Sequence, residues 1–417
     1  MDKDILKRII IEHQERIPEL KITARDIAVD PAANYIFTGQ RRAGKTYFMY
    51  QIIQQKLKAG YNAENVLYIN FEDERLMEMN VQGLDQIMEC YAELFKSKPL
   101  IFFDEIQIIP AWQKFVRRLA DNKYQVCVTG SNASMLSSEM ASTLGGRFLV
   151  KEISTLSFKE FLNFQHFKAG KNAFLSSQRF EIIRLFNEYF SFGGFPETIN
   201  FENKKEYLSN IFQKVFLGDI IARYQVRNPY ALRLLLKKLA ESTMDETSFT
   251  RIKNIIQSTG IQAGTATLIE YVSYLEETFL LRGISNFKAK ISERETKKKY
   301  YYRDHGLLNL FLWRGESALL ETIVFNKLYS QHAGEVFYFR DATEVDFYVP
   351  GELLAQASYS ISNPETRQRE ITALSKAMQD LKPKNVLIIT YNDREENIQT
   401  DNGNIRVLPV WRWLMQE

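Results

Sequence analysis

The chain has 417 residues, 45% of them hydrophobic and 25% charged, with a formal net charge of +3 at pH 7. That length exceeds one ordinary hydrophobic core and implies two or three domains, while the composition excludes a disordered chain and gives no general pull toward nucleic acid. No apolar run reaches the roughly 20 residues of a membrane span, Met1-Asp2-Lys3-Asp4 lacks an export signal's pattern, and Cys90, Cys127 and four scattered histidines lack metal or disulfide spacing.

The expectation is therefore a reducing, cytoplasmic protein with buried thiols and no membrane contact. In chain order, the first clear element is the short apolar strand Tyr35-Ile36-Phe37-Thr38. Directly after it, Gly39-Gln40-Arg41-Arg42-Ala43-Gly44-Lys45-Thr46 matches G-x-x-x-x-G-K-[ST], and from Tyr47 to Lys58 apolar residues recur at helical spacing. A strand, a glycine loop and a helix in that order form a phosphate cradle. The glycines let backbone N–H groups approach an anion, and the helix start faces it with its positive end. Lys45 is expected to reach the β and γ phosphates of ATP, and the Thr46 hydroxyl to hold Mg2+.

A second buried strand follows, Val66-Leu67-Tyr68-Ile69-Asn70-Phe71, ending in Glu72-Asp73. After a helical stretch, Leu100-Ile101-Phe102-Phe103 runs into Asp104-Glu105, the Walker B pattern. A wholly apolar strand belongs inside a parallel sheet, with its C-terminal end beside the phosphate loop. Asp104 is expected to bind Mg2+ and Glu105 to act as general base toward water. The strand Gln125–Thr129 leads to Gly130-Ser131-Asn132. Ser131 or Asn132 there suits a sensor that orients water, or alternatively caps a helix beginning near Met135-Leu136. Arg147, after Gly145-Gly146 and before the strand Phe148-Leu149-Val150, is a candidate to stabilise transition-state charge, within the chain or from a neighbour in a homo-oligomer.

The motif order indicates an ATPase with an additional strand between its two Walker strands (the ASCE group). With Asp104-Glu105-Ile106-Gln107, Pro110-Ala111-Trp112, Thr129-Gly130-Ser131, Gly146-Arg147 and Leu156-Ser157-Phe158-Lys159-Glu160-Phe161, the chain resembles a prokaryotic family of AAA-like P-loop ATPases. The resemblance spans nearly the whole chain. It implies ATP binding and hydrolysis, a C-terminal region of unknown function, and no known client.

Residues 156–230 read as mostly helical, broken at Phe192-Gly193-Gly194-Phe195-Pro196 by a turn that is either structural or a lid. A helix-turn-helix pattern covers Phe249–Ser258 and Thr265–Phe279, and two strands, Leu280–Ile284 and Lys299–Tyr302, suggest a wing. The intervening stretch carries Lys288, Lys290, Arg294, Lys297, Lys298 and Lys299, the basis for a DNA contact, although the second helix is acidic. From Ser317 the element order αβββαβ resembles a restriction-endonuclease-like fold. That resemblance implies acids at Glu321 and Asp346, but puts Gln356 and Ser358 where it expects an acid and a lysine. A degenerate nuclease-like site follows.

The expected division is a P-loop ATPase domain at 1–155, a helical lid at 156–230, a winged-helix-like domain at 231–305 and a degenerate nuclease-like α/β domain at 306–417. The expected function is a Mg2+-dependent ATPase that switches a protein client or DNA. The alternative is an ATP-dependent DNA-processing nuclease.

Overall fold

A computed structural model describes residues 2–132, 143–170 and 173–416. They form two compact units. One comprises residues up to Ser154 with Glu277–Phe279, and the other Thr155–Glu276 with Leu280–Glu417.

The first unit is built on a five-stranded parallel sheet of β1 (Tyr35–Thr38), β2 (Val66–Asn70), β3 (Leu100–Asp104), β4 (Gln125–Gly130) and β5 (Leu149–Glu152). The strand order is β2-β3-β4-β1-β5. β4 therefore lies between β1 and β3, which is the added strand anticipated from the motif order. β1 and β3 are buried along their whole length, as near-continuous apolar runs in a parallel sheet should be. Helix α1 (Lys3–Glu19) buries Leu6, Ile9, Ile10, His13 and Ile17, a stripe at three- and four-residue steps. Helices α2 (Lys45–Lys58), α3 (Gly83–Leu94) and α4 (Trp112–Asp121) complete the layers. Both cysteines are buried and free, and burial pushes the Cys127 thiol up to about 12.

The second unit begins with helices α5 (Phe158–Phe164), α6 (Gln178–Phe192), α7 (Lys204–Lys214) and α8 (Pro229–Glu241). Ser157 and Glu160 close a reciprocal capping box on α5. The glycine turn after α6 is a packed junction. Gly194 N–H donates to Asp304 Oδ2 at 2.9 Å, its carbonyl accepts from Leu156 N–H at 2.7 Å, and a Cβ on Gly194 would sit 2.3 Å from the Leu156 carbonyl oxygen. Helices α9 (Phe249–Ser258) and α10 (Thr265–Glu277) precede an antiparallel pair, β6 (Leu281–Ser285) and β7 (Lys298–Tyr302). The stretch between these strands contains a short helix, α11 (Ile291–Thr296), where the sequence suggested only loop.

After α12 (His305–Asn309) and α13 (Glu316–Gln331) come β8 (Phe337–Arg340), β9 (Glu344–Val349), β10 (Leu353–Ala357), α14 (Pro364–Leu381) and β11 (Asn385–Thr390). This is the αβββαβ order expected. The chain then adds β12 (Glu396–Thr400), β13 (Gly403–Pro409) and α15 (Val410–Leu414), which periodicity did not reveal. The six-stranded mixed sheet runs β12-β13-β11-β10-β9-β8. The β6–β7 pair is tied to this sheet: Phe287 N–H donates to the Tyr338 carbonyl at 2.9 Å, and Asn286 forms a bridge with Tyr338.

Candidate nucleotide site

The loop after β1 adopts backbone angles that explain its glycines. Gly39 has φ +143°, a region essentially closed to other residues, and a Cβ there would lie 2.2 Å from the Ile153 carbonyl oxygen. Gly44, in left-handed conformation at φ 97°, starts α2. Arg42 is also left-handed, at φ 65°. Lys45 and Thr46 thus open the helix. Lys45 is 4% exposed, and its Nζ donates to the carbonyls of Gly39 and Gln40, each at 3.2 Å.

Parallel pairing of the strands brings the end of β3 against this loop. Thr46 Oγ1 donates to Asp104 Oδ2 at 2.7 Å, and Lys45 Nζ stands 3.5 Å from Glu105 Oε1. Asp104 is fully buried and also accepts from Tyr68 Oη at 2.8 Å and from Thr129 Oγ1. Burial, then the neighbouring Glu105 carboxylate, push the Asp104 carboxyl up, against the pull of those three hydroxyls. Burial would raise Glu105 as well. Lys45 overcomes it, helped by Gln107, Arg41 and Ser131, and the net shift is downward, which keeps Glu105 ionised. Glu105 sits at φ 51°, a left-handed conformation that side chains seldom adopt. Its own N–H is held by Thr129 Oγ1 at 2.8 Å, and Gln107 Nε2 donates to its Oε2.

Ser131 is buried beside this pair. The Asn132 backbone carbonyl accepts from Thr38 Oγ1 at 3.4 Å. The helix expected near Met135-Leu136 lies outside the described residues. Arg41 forms an ion pair with Glu72 at 2.7 Å. Ala43 is wholly buried, and its carbonyl accepts from Arg25 at 3.0 Å; that guanidinium also donates to the Ser154 carbonyl at 3.0 Å, fastening the loop from behind.

Arg147 is not brought to the loop within this chain. It precedes β5, whose Leu149 pairs with Tyr35, so it lies at the start of the parallel strands, whereas the loop leaves their far end. There it pairs with Asp121 and donates to the Gly145 carbonyl at 3.2 Å.

The residues present fit a phosphate chain and a divalent ion. Both amide atoms of Gln40 are buried without a hydrogen-bond partner among the described residues. A hydroxyl and a carboxylate, Thr46 and Asp104, converge as oxygen ligands for a hard cation.

In the C-terminal sheet, Glu321 is 3% exposed and accepts from Tyr301 Oη at 2.7 Å. Asp346 Oδ2 accepts from Ala357 N–H at 2.9 Å, and its N–H donates to Gln356 Oε1 at 3.1 Å. Burial, then the neighbouring Asp346, push Glu321 up to about 8. Burial raises Asp346 to about 6, opposed by Lys299. Ser358 Oγ donates to the Ser360 carbonyl at 3.3 Å. A cleft of about 980 Å³ opens above Asp346 and Gln356, lined also by Glu344, Arg369 and Glu370. Lys299, taken from the sequence as one cation of a basic wing, is buried and paired with Glu344 at 2.6 Å. Most of its basic neighbours are engaged too. Lys288 bridges Asp341 and Asp380, Lys297 pairs with Glu293, Lys298 with Glu295, and Arg294 donates to the Ala289 carbonyl.

The strand order and the loop–strand pairing define an AAA-like P-loop fold. The AAA domain profile matches residues 32–162, and that of a domain of unknown function (DUF8612) matches residues 183–317. The uncharacterized protein MJ1544 of Methanocaldococcus jannaschii is 35% identical over 430 aligned residues, covering 99% of this chain and 96% of that protein. An uncharacterized protein of Haemophilus influenzae is 30% identical over 401, covering 91% and 94%. The chain belongs to this family, in which an AAA-like P-loop ATPase domain is joined to a C-terminal domain of unknown function. Among solved structures, a Walker-type ATPase of Pyrococcus abyssi matches with a TM-score of 0.40 at 12% identity, covering 74% of this chain and 95% of its own. AMPPCP-bound DnaA of Aquifex aeolicus matches with a TM-score of 0.27 at 16% identity, covering 65% and 86%. Among the described residues, no helix is long and apolar enough to cross a membrane.

Proposed function

We propose that this chain is a cytoplasmic, Mg2+-dependent ATPase whose nucleotide state switches a protein or DNA partner. The observation that carries the reading is the convergence of Thr46 on Asp104 at 2.7 Å with Lys45 3.5 Å from Glu105. A hydroxyl–carboxylate pair suited to a hard cation thus lies beside a lysine–glutamate pair.

In this reading the backbone of Gly39, Gln40, Arg41, Arg42, Ala43, Gly44, Lys45 and Thr46 cradles the phosphates of ATP, and Thr46 with Asp104 holds Mg2+. The bound metal–nucleotide supplies a polarised phosphoanhydride. Lys45 balances phosphate charge. Glu105, kept ionised by Lys45, takes a proton from water at its carboxylate oxygen. Ser131 and Asn132 orient that water, and Arg147 acts only across a boundary between copies of a homo-oligomer. The domain division is 1–155 for the ATPase, 156–230 for a helical lid, 231–305 for a winged-helix-like connector and 306–417 for the nuclease-like domain.

The test is phosphate release with Mg2+ by the wild type and by Glu105→Gln, each with and without duplex DNA. Turnover no greater than that of the variant removes the hydrolysis claim. Identical protease sensitivity with ATP, ADP and no nucleotide removes the switch. We assign no phosphodiester cleavage to the nuclease-like domain, because Gln356 does not supply the third carboxylate.

A further inference from the structure

We propose that Lys299 is the resident cation of the acidic site in the C-terminal sheet, and that its ammonium keeps divalent metal ions off Asp346 and Glu321. Lys299 lies on β7, in register with Ile284 of β6, and β7 is further held where Thr247 N–H donates to the Lys298 carbonyl at 2.9 Å. Side chains two apart on a strand share a face. Tyr301, two residues on, reaches Glu321 at 2.7 Å, so Lys299 projects toward the same acids. Its side chain is 1% exposed, its Nζ is 2.6 Å from Glu344 Oε1, and it lies 5.3 Å from the centre of the Tyr338 ring. Glu321 and Asp346 add attraction to the ammonium. A charge this deeply buried persists only with such carboxylates around it.

Each acid also accepts a hydrogen bond from the protein. Asp346 Oδ2 takes the Ala357 N–H, Glu321 Oε1 takes the Tyr301 hydroxyl, and the Gln356 carbonyl oxygen takes the Asp346 N–H. Glu370, beside Asp346, is held by Arg369 at 2.6 Å. Among the described residues, no group of three or more His, Cys, Asp or Glu side chains is arranged to hold a metal ion. A divalent ion at Asp346 would need to displace an ammonium whose strand is fixed by pairing, or sit beside its repulsive charge. The sequence offers no lysine at Ser358, and the fold instead supplies one from a strand 47 residues before Asp346. In this protein the cation of the site is a side chain.

The experiment is Mn2+ binding to the full-length protein without nucleotide, followed by electron paramagnetic resonance. The wild type, Asp346→Asn, Lys299→Gln, Lys299→Arg and Lys299→Gln/Asp346→Asn are compared, with circular dichroism to check folding. The expected result is no Asp346-dependent binding at 1 mM Mn2+ (about the upper end of weak sites) for the wild type and Lys299→Arg. Lys299→Gln should gain roughly one ion per chain and at least a ~10-fold rise in affinity, lost again in the double variant. Wild-type binding of Mn2+ that Asp346→Asn abolishes overturns the proposal, whether or not the lysine variant folds. So does a folded Lys299→Gln that gains none. If Lys299→Gln fails to fold, Lys299→Gln/Glu344→Gln, which removes one charge of each sign, is read in its place with the same outcomes.

Discussion

Tyr68 Oη donates to Asp104 Oδ2 at 2.8 Å from within the sheet core, where Tyr68 itself is 1% exposed. A phenol on β2 thus supports the carboxylate at the end of β3, on the same oxygen that accepts from Thr46. Tyr68→Phe removes one of three hydroxyls holding the ionised form. Its expected cost is about 1–2 kcal/mol of stability in chemical denaturation. The acidic limb of the ATP turnover profile should also move to higher pH, because the Asp104 carboxyl, already pushed up by burial, loses a stabilising donor. An unmoved limb would show that Tyr68 packs without tuning Asp104.

Lys45 and Glu105 are expected to separate binding from turnover. Lys45→Ala should weaken Mg2+–ATP binding by roughly 10- to 100-fold in calorimetry, the worth of one or two charge-assisted hydrogen bonds. Glu105→Gln should leave affinity within a few-fold while reducing phosphate release by about 100-fold or more, as expected for a general base. A Glu105→Gln variant that loses affinity as severely as Lys45→Ala would make Glu105 a structural partner of the lysine.

The contrast between these residues and Tyr68 shows what the sequence could disclose. Gly39 to Thr46 and Asp104-Glu105 were legible because residue type and local backbone demand coincide: a φ of +143° admits little but glycine, and an apolar strand ending in acids advertises its own sheet position. Tyr68, Thr129 and Arg25 were not, since each acts on a partner 36, 25 or 18 residues away through a register that only the folded sheet sets. Arg147 looked suitable because a glycine pair precedes it. The parallel pairing of β5 with β1 puts it at the wrong end of the strands. Lys299 differs for the opposite reason: local charge density suggests an exposed wing, and the attachment of that hairpin to β8 buries it. The strand β12 is not legible because Glu396–Thr400 alternates between intermediate and exposed positions and carries a single strongly apolar residue, Ile398.

Gly39 offers a purely steric prediction. Gly39→Ala combines a φ of +143° with a Cβ 2.2 Å from the Ile153 carbonyl, and backbone cannot yield as a side chain can. The expected loss is roughly 3 kcal/mol or more, together with loss of nucleotide binding even in molecules that remain folded. Full binding by Gly39→Ala would mean that the loop tolerates another conformation.

His13 gives the first unit a pH signature. Burial against Tyr68, with Arg16 nearby, lowers its imidazole to about 4 from an ordinary 6.5. The folded state therefore binds the proton less tightly than the unfolded chain. Stability from this group is complete above about pH 6.5 and is lost as pH falls toward about 4, by up to roughly 3 kcal/mol. Between pH 7 and pH 4.5 the stability of the wild type should fall relative to that of His13→Phe as pH falls. Parallel curves would mean that His13 titrates normally.

The stretch between β6 and β7 makes the last prediction, on DNA. Of its six cations, four are paired with five carboxylates: Lys288 with Asp341 and Asp380, Lys297 with Glu293, Lys298 with Glu295 and Lys299 with Glu344, while Arg294 donates to backbone carbonyls. DNA affinity from such a surface comes from cations that shed counterions when they meet phosphate, and cations already paired shed few. Replacing Lys288, Lys297 and Lys298 together by Ala should therefore leave any gel retardation of duplex DNA, and its salt dependence, almost unchanged. If these lysines do touch phosphates, the slope of log affinity against log salt should fall by about 0.9 for each, close to 3 in all. A change of that size would make the stretch between β6 and β7 the nucleic-acid contact despite its ion pairs.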